Sequence, residues 1–204
     1  MTQIKPLRHR AVHSGLIVLS CCLLVLIILA PSGHHRKLKP TLPPGTQARF
    51  ADPLLNRAAP VWTLPDQLHP TDTIDSRHLA GHPYLFTVWA SWCPACVSEQ
   101  AALRLIAARY RLCMIGYDWK DQPANAQRWL AEKGNPFTNV VSDDDGTAAL
   151  DWGVIAAPES FLVDGNGFIR WIHRGPLTAA LVATEIFPRL AQMQVAPHPS
   201  PLAP

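Results

Sequence analysis

Leu85 to Glu99 reads LFTVWASWCPACVSE, and its character changes once along the way. Leu85 to Ala90 is an unbroken apolar run rich in strand formers, as expected of a central strand covered on both faces. Ser91 to Pro94 interrupts it. Beyond the break, Cys96, Glu99, Leu103, Ile106, Ala107 and Tyr110 fall on one stripe, while Gln100, Arg104 and Arg111 face away, so the spacing predicts a helix. Trp92-Cys93-Pro94-Ala95-Cys96 therefore sits where a buried strand becomes a helix. A helix start presents unpaired N–H groups and the positive end of the macrodipole, which stabilise a thiolate at Cys93 and lower its pKa. Cys96 lies one turn on, close enough to close a disulfide without large backbone movement, so the pair can cycle between dithiol and disulfide. Buried structural cysteines and half a zinc site are the competing readings. Zinc needs further ligands, and the chain has no second C-x-x-C motif. Haem attachment would need histidine where Val97 stands.

Working outward, Val61 to Leu64 and the Thr71 to Ile74 region predict short strands, which Pro65 and Pro70 confine to an edge or hairpin. Leu112 to Tyr117 predicts a second buried strand, with Cys113 inside it. Residues 122 to 133 predict a helix with Pro123 in its first turn and Gly134 as its stop. Val140 and Val141 form a third strand, and Asp145 offers a cap to a short helix ending near Gly153. Ser160 to Val163 and Phe168 to His173 flank Asp164-Gly165-Asn166-Gly167, a strong hairpin signal. A last helix starts at Thr178 and is interrupted at Pro188. This order gives an α/β fold, a three-layer sandwich around a mixed central sheet whose parallel part comes first.

The 204 residues are 48% hydrophobic and 16% charged, which excludes wholesale disorder and suits one core with attachments. Leu16 to Ala30 carries no charge, and extended back to Ala11 it gives 20 residues, about 30 Å of helix. That length predicts a transmembrane anchor. A cleavable signal peptide is the alternative, but Pro31 beside the cut and Ile28 at the small-residue position fit it poorly. Lys5, Arg8 and Arg10 before the segment balance Arg36, Lys37 and Lys39 after it, so charge does not set orientation. Cys21 and Cys22 read as packing residues of that span, with palmitoylation as an alternative. The predicted organisation is a flank (1–10), an anchor (11–30), a proline-rich spacer (31–59), a folded domain (60–190) and a disordered tail (191–204). Residues 1–53 hold seven Lys/Arg against one acid, and the rest holds 11 against 14. The basic excess thus flanks the apolar segment rather than the domain, which argues against nucleic acid as a partner. Asp143-Asp144-Asp145-Gly146 lacks calcium-loop spacing and reads as an exposed cap, His34-His35 as a polar flank, and most of the seven tryptophans as core.

The stretch TVWASWCPACVSE, followed by GYDWKDQ, GNPF and LDWGVIAAPESFLVDGNGFIRWIHRGPL, resembles the thioredoxin-like thiol:disulfide interchange proteins of cytochrome c biogenesis, the CcmG/DsbE type. The likeness runs from about Pro60 to Pro188, and GVIAAPESFLVDGNG is its most specific part. It implies that Cys93 is the exposed nucleophile and Cys96 the resolving cysteine of a redox-active disulfide. Pro158 matches a proline whose cis peptide bond faces that disulfide and frees the backbone of Ala157 to pair with a bound peptide. Glu99 and Glu159 match the family's two acids. Glu99 also lies on the inward stripe, where a carboxylate near a thiol has a raised pKa and exchanges a proton with Cys96. Trp92 is expected to shield the nucleophile, and Pro94 to shape the substrate site with it. Ala156 and Ile155 stand where relatives usually carry glycine and an aromatic, so the partner groove is expected to differ in shape. By resemblance the protein needs no cofactor or metal. It sits in a bacterial inner membrane with its domain in the periplasm, receives electrons from a membrane reductase of the DsbD kind, and reduces apocytochrome c or an accessory thiol protein. A general disulfide oxidase or isomerase, and a module that only binds apocytochrome, are the alternatives.

Overall fold

A computed structural model describes residues 52–199. The predicted flank and anchor, most of the spacer, and Cys21, Cys22, His34 and His35 lie outside the described residues. Among the described residues no helix is long and apolar enough to cross a membrane.

The elements run β1 (Thr63–Pro65), β2 (Thr73–Asp75), β3 (Tyr84–Trp89), α1 (Pro94–Arg109), β4 (Cys113–Trp119), α2 (Pro123–Lys133), β5 (Asn139–Asp143), β6 (Glu159–Val163) and β7 (Ile169–Arg174). A final helical segment, α3, covers 179–192. β1 and β2 pair antiparallel; the main sheet has the order β5-β4-β3-β6-β7, parallel across β5-β4-β3 and antiparallel from β3 onward. β3 is central and all six of its residues are buried, as its uninterrupted apolar composition requires.

The three layers are not all helical. β3 to β4 and β4 to β5 step in the same direction, and two right-handed crossovers of that kind leave both helices on one face. Buried residues of α1 (Leu103, Ile106), α2 (Trp129, Leu130) and α3 (Val182, Ile186) accordingly share one cluster with Leu85, Trp89 and Met114. The opposite face is covered by the β1–β2 ribbon and the 148–154 turn, with Trp152 stacked 4.1 Å from Phe86.

Several expectations shift. Gln100 is buried rather than facing away, and its side-chain oxygen lies 3.4 Å from Arg104 Nη1. The helix after Asp145 is only a 3-10 turn, Ala148–Leu150, although Asp145 does accept from Thr147 N–H. Asp143 is not an exposed cap: it is buried, accepts from the Tyr117 hydroxyl and binds Ala149 N–H at 3.2 Å. The break at Pro188 appears as a π turn, Val182–Ile186, which absorbs the missing donor without ending α3. Domain limits widen at both ends. Asn56 N–H bonds Ile169 carbonyl at 2.7 Å and Ala58 bridges Phe168, so the fold begins before residue 60. In the tail, Arg111 N–H bonds Ala196 carbonyl at 2.9 Å and His198 N–H bonds Arg109 carbonyl at 2.9 Å, so proline content there marks an edge pairing and not disorder as far as residue 199.

β4 carries glycine at position 116 because an added Cβ would stand 2.5 Å from the Phe137 ring, well inside contact distance. Overpacking of this kind is expected to cost a Gly116→Ala variant about 1–3 kcal/mol, read as a lower urea midpoint at unchanged slope. An unchanged midpoint would mean that Phe137 moves aside freely.

Candidate active site

Cys93 is the N-cap of α1 and Pro94 occupies the first turn, where its missing N–H costs nothing. The Cys93 sulfur accepts the Cys96 N–H at 3.1 Å, so a sulfur at this position sits against the free amide end of a 16-residue helix. Cys93 and Cys96 are joined as a disulfide, with their Cα atoms 5.4 Å apart. In this oxidised form Cys93 is not the exposed residue that the resemblance implies; it keeps 2% of its surface against 0% for Cys96. The cause is local: an N-cap side chain turns inward over the first helical turn, and here it is bonded to a buried partner. Of the two, Cys93 alone keeps any exposed surface. Cys113, the free cysteine among the described residues, starts β4 at the opposite end of the sheet, where burial raises its thiol pKa.

The loop ahead of the nucleophile is held at two points. Asp121 accepts from the Ser91 amide and from the Ser91 hydroxyl at 2.9 Å, and Trp92 Nε1–H donates to Lys120 carbonyl at 2.9 Å. Trp92 remains half exposed. Asp121 and Lys120 were visible in the sequence only within the WKDQ stretch; their contact to Ser91 and Trp92 crosses 28 to 30 residues and has no local signal.

Antiparallel register sets Val88 opposite Glu159, so the residue before β6, Pro158, lies beside the end of β3 from which the cysteine loop departs. The Ala157–Pro158 peptide bond is cis. Ala157 packs against the cluster that contains both cysteines. Its N–H and C=O make no backbone hydrogen bond among the described residues. Ile155 and Ala156 are exposed beside it.

The two acids behave differently. Glu99 is fully buried in α1, one turn beyond Cys96; Leu177 N–H donates to its Oε2 at 3.0 Å, while Oε1 has no partner among the described residues. Burial pushes its pKa up to about 8, against a smaller lowering by the Leu177 amide. A carboxyl group near that value can take or return a proton at neutral pH. Glu159, equally buried, has both oxygens engaged. Oε1 accepts from the amides of Ile155 at 3.2 Å and Ala156 at 3.1 Å, and Oε2 pairs with Arg174. Arg174 also donates to Gly153 carbonyl at 3.2 Å and to Asp52 at 2.8 Å. Glu159 is thus a clamp on the loop that leads into Pro158, and its fixed partners argue for positioning rather than proton transfer. Sequence reasoning did not single out Arg174 or Asp52, since ion pairs spanning 15 and 122 residues leave no periodic trace.

Removing one side of a buried ion pair strands the other. Arg174→Ala is expected to cost about 2–4 kcal/mol and to weaken disulfide exchange by loosening residues 153–158, measured by urea unfolding and by turnover on a model disulfide. A change below about 0.5 kcal/mol would show that Glu159 is held by its amides alone.

The redoxin family profile matches residues 54–185. Over 148 residues the chain is 45% identical to the thiol:disulfide interchange protein DsbE of Xylella fastidiosa, covering 72% of this chain and 75% of that protein. Over 146 residues it is 41% identical to DsbE of Allochromatium vinosum, covering 72% and 81%. Among solved structures, one described as a DsbE-type thiol:disulfide interchange protein from Chlorobium tepidum superposes with a TM-score of 0.59 at 26% identity, covering 67% of this chain and 95% of that one. A dithiol pair at a helix start, a cis proline beside it and relatives of this closeness agree: the chain belongs to the DsbE thiol:disulfide interchange proteins of the redoxin family, and is a thiol:disulfide oxidoreductase of thioredoxin-like fold.

Proposed function

We propose that this protein is a membrane-tethered periplasmic reductant that opens disulfides in apocytochrome c, or in an accessory thiol protein, during cytochrome c maturation. The observation that carries the reading is the placement of the pair: Cys93 caps the helix and keeps the little exposure the two have, Cys96 is enclosed in the first turn, and the buried carboxyl group of Glu99 follows one turn later. Reduced Cys93 attacks one sulfur of the partner's disulfide as a thiolate. That bond breaks, the departing sulfur leaves as a thiolate, and a mixed disulfide forms. Cys96 then gives its proton to Glu99 and attacks Cys93, which releases the second partner thiol and leaves the Cys93–Cys96 disulfide. Two electrons have passed to the partner, and a membrane reductase of the DsbD kind restores them.

The apolar stretch of residues 11–30 supports the tether. An anchor holds the thiols beside the membrane where haem-binding cysteines must be kept free, and raises their effective concentration there. Relatives named for thiol:disulfide interchange support the chemistry but not its direction.

Trapping decides the partner. A full-length Cys96→Ser variant in cells is expected to accumulate a mixed disulfide with apocytochrome c or a maturation thiol protein. Capture of a broad set of secreted proteins would favour a general oxidase or isomerase, as would a reduction potential more positive than about −150 mV. Cytochrome c maturation that survives loss of both thiols would favour a binding module.

A further inference from the structure

Asp118 is fully buried on β4, and neither of its carboxylate oxygens has a hydrogen-bond donor among the described residues. An ionised carboxylate left so is costly, and the ordinary remedy is a proton on the group itself. Its described surroundings supply no cation. In the sheet it lies level with Trp89 on β3 and Ser142 on β5, on the face that packs against α1. Ser142 turns its hydroxyl to Asp144 instead, and Lys120 lies over the Trp119 ring, 5.1 Å from its centre. On α1, Glu99 is committed to Leu177 N–H. The charged groups acting on Asp118 are Asp121, from the loop after β4, and Asp144, just beyond β5; with burial as the main cause they hold its pKa up at about 8.

Asp121 follows three residues on in the chain, and it is the acid that fastens the active-site loop through Ser91. It is 5% exposed and accepts from Ser91 N–H, Ser91 Oγ and Gln122 N–H. Ser91 stands two residues before Cys93.

We propose that Asp118 carries a proton which it donates to Asp121, and that this buried acid pair, acting through Ser91, positions the start of the Cys93 helix. Loss of the proton sets two carboxylates against each other and slackens the hold on Ser91. Asp118 is then a positioning residue that makes the site sensitive to alkaline pH. The inference rests on the redox role of Cys93 and not on the identity of the partner.

Two measurements on the full chain in detergent test it. With aspartate side chains carbon-13 labelled at the carboxyl, one resonance is expected to titrate near pH 8; Glu99, unlabelled, does not interfere. If every aspartate titrates in the ordinary range, the inference is overturned, whether or not any variant folds. In the second, the reduced protein with Cys21, Cys22 and Cys113 replaced reacts with oxidised glutathione between pH 6 and 10, and rates are corrected for thiolate fraction measured by ultraviolet absorbance. The wild type is expected to lose rate several-fold through an inflection near pH 8, which Asp118→Asn, an amide that donates at every pH, removes and Glu99→Gln retains. An inflection that survives in Asp118→Asn would overturn the positioning role while leaving the partner assignment untouched.

Discussion

Cys93→Ser is expected to reduce disulfide exchange to the uncatalysed background, while Cys96→Ser still attacks once and stops. The asymmetry follows from position. Cys93 caps α1 and keeps what exposure the pair has, and Cys96 is enclosed within the first turn. A hydroxyl at 93 has no accessible anion at neutral pH, so no adduct forms at all. A hydroxyl at 96 leaves the first attack intact but cannot displace the partner, so the covalent adduct persists. Non-reducing gels with a model peptide disulfide read both outcomes: an adduct band with Cys96→Ser and none with Cys93→Ser. The reverse pattern would exchange the two roles.

Glu99→Gln carries the second large effect, and it acts in opposite directions on rate and stability. Without a group to take the Cys96 proton, the resolving step is expected to slow about 10²-fold, leaving a longer-lived mixed disulfide in stopped-flow or quench experiments. For stability the sign is set by a pKa raised from 4.5 to about 8 by burial. A carboxyl whose folded-state pKa lies above its unfolded value favours the native state fully below about pH 4.5, and that advantage is lost as pH rises through about 8. Glutamine keeps an acceptor for Leu177 N–H and never ionises. The variant is therefore expected to match the wild type near pH 4 and to exceed it by a few kcal/mol at pH 8 and above, because each pH step between the unfolded and folded ionisations is worth about 1.4 kcal/mol. Urea midpoints of variant and wild type at the two pH values check this; a difference between them that does not grow with pH would mean that Glu99 is ionised in the fold.

The cysteine site was legible because its signals are local. An apolar run, a break at Ser91 and a helical stripe beginning at Cys96 place the pair at a helix start with no knowledge of tertiary structure, and Asp164-Gly165-Asn166-Gly167 likewise announces the β6–β7 turn. What escaped depends on distant partners. Glu159 reads as one more acid until Arg174 and the amides of Ile155 and Ala156 occupy its oxygens. Gln100 reads as a surface residue by periodicity, yet tertiary packing encloses it. The non-helical cover over Phe86 could not be read from strand and helix order, because Trp62 and Trp152 reach it from segments with little regular structure. Ala196 and His198 belong to a proline-rich stretch whose composition matches a free tail, but their backbone groups find Arg111 and Arg109.

These features converge on the state of one sulfur. Glu99 governs the second half of the reaction and Ser91, Asp121 and Asp118 the placement of the loop, but exchange begins only if Cys93 is ionised when the partner arrives. Titrating the thiolate absorbance near 240 nm in the reduced Cys96→Ala variant, with Cys21, Cys22 and Cys113 also replaced, measures this directly. The helix-start geometry predicts an ionisation well below the value of about 8.5 of an ordinary cysteine. A midpoint at or above that value would contradict it.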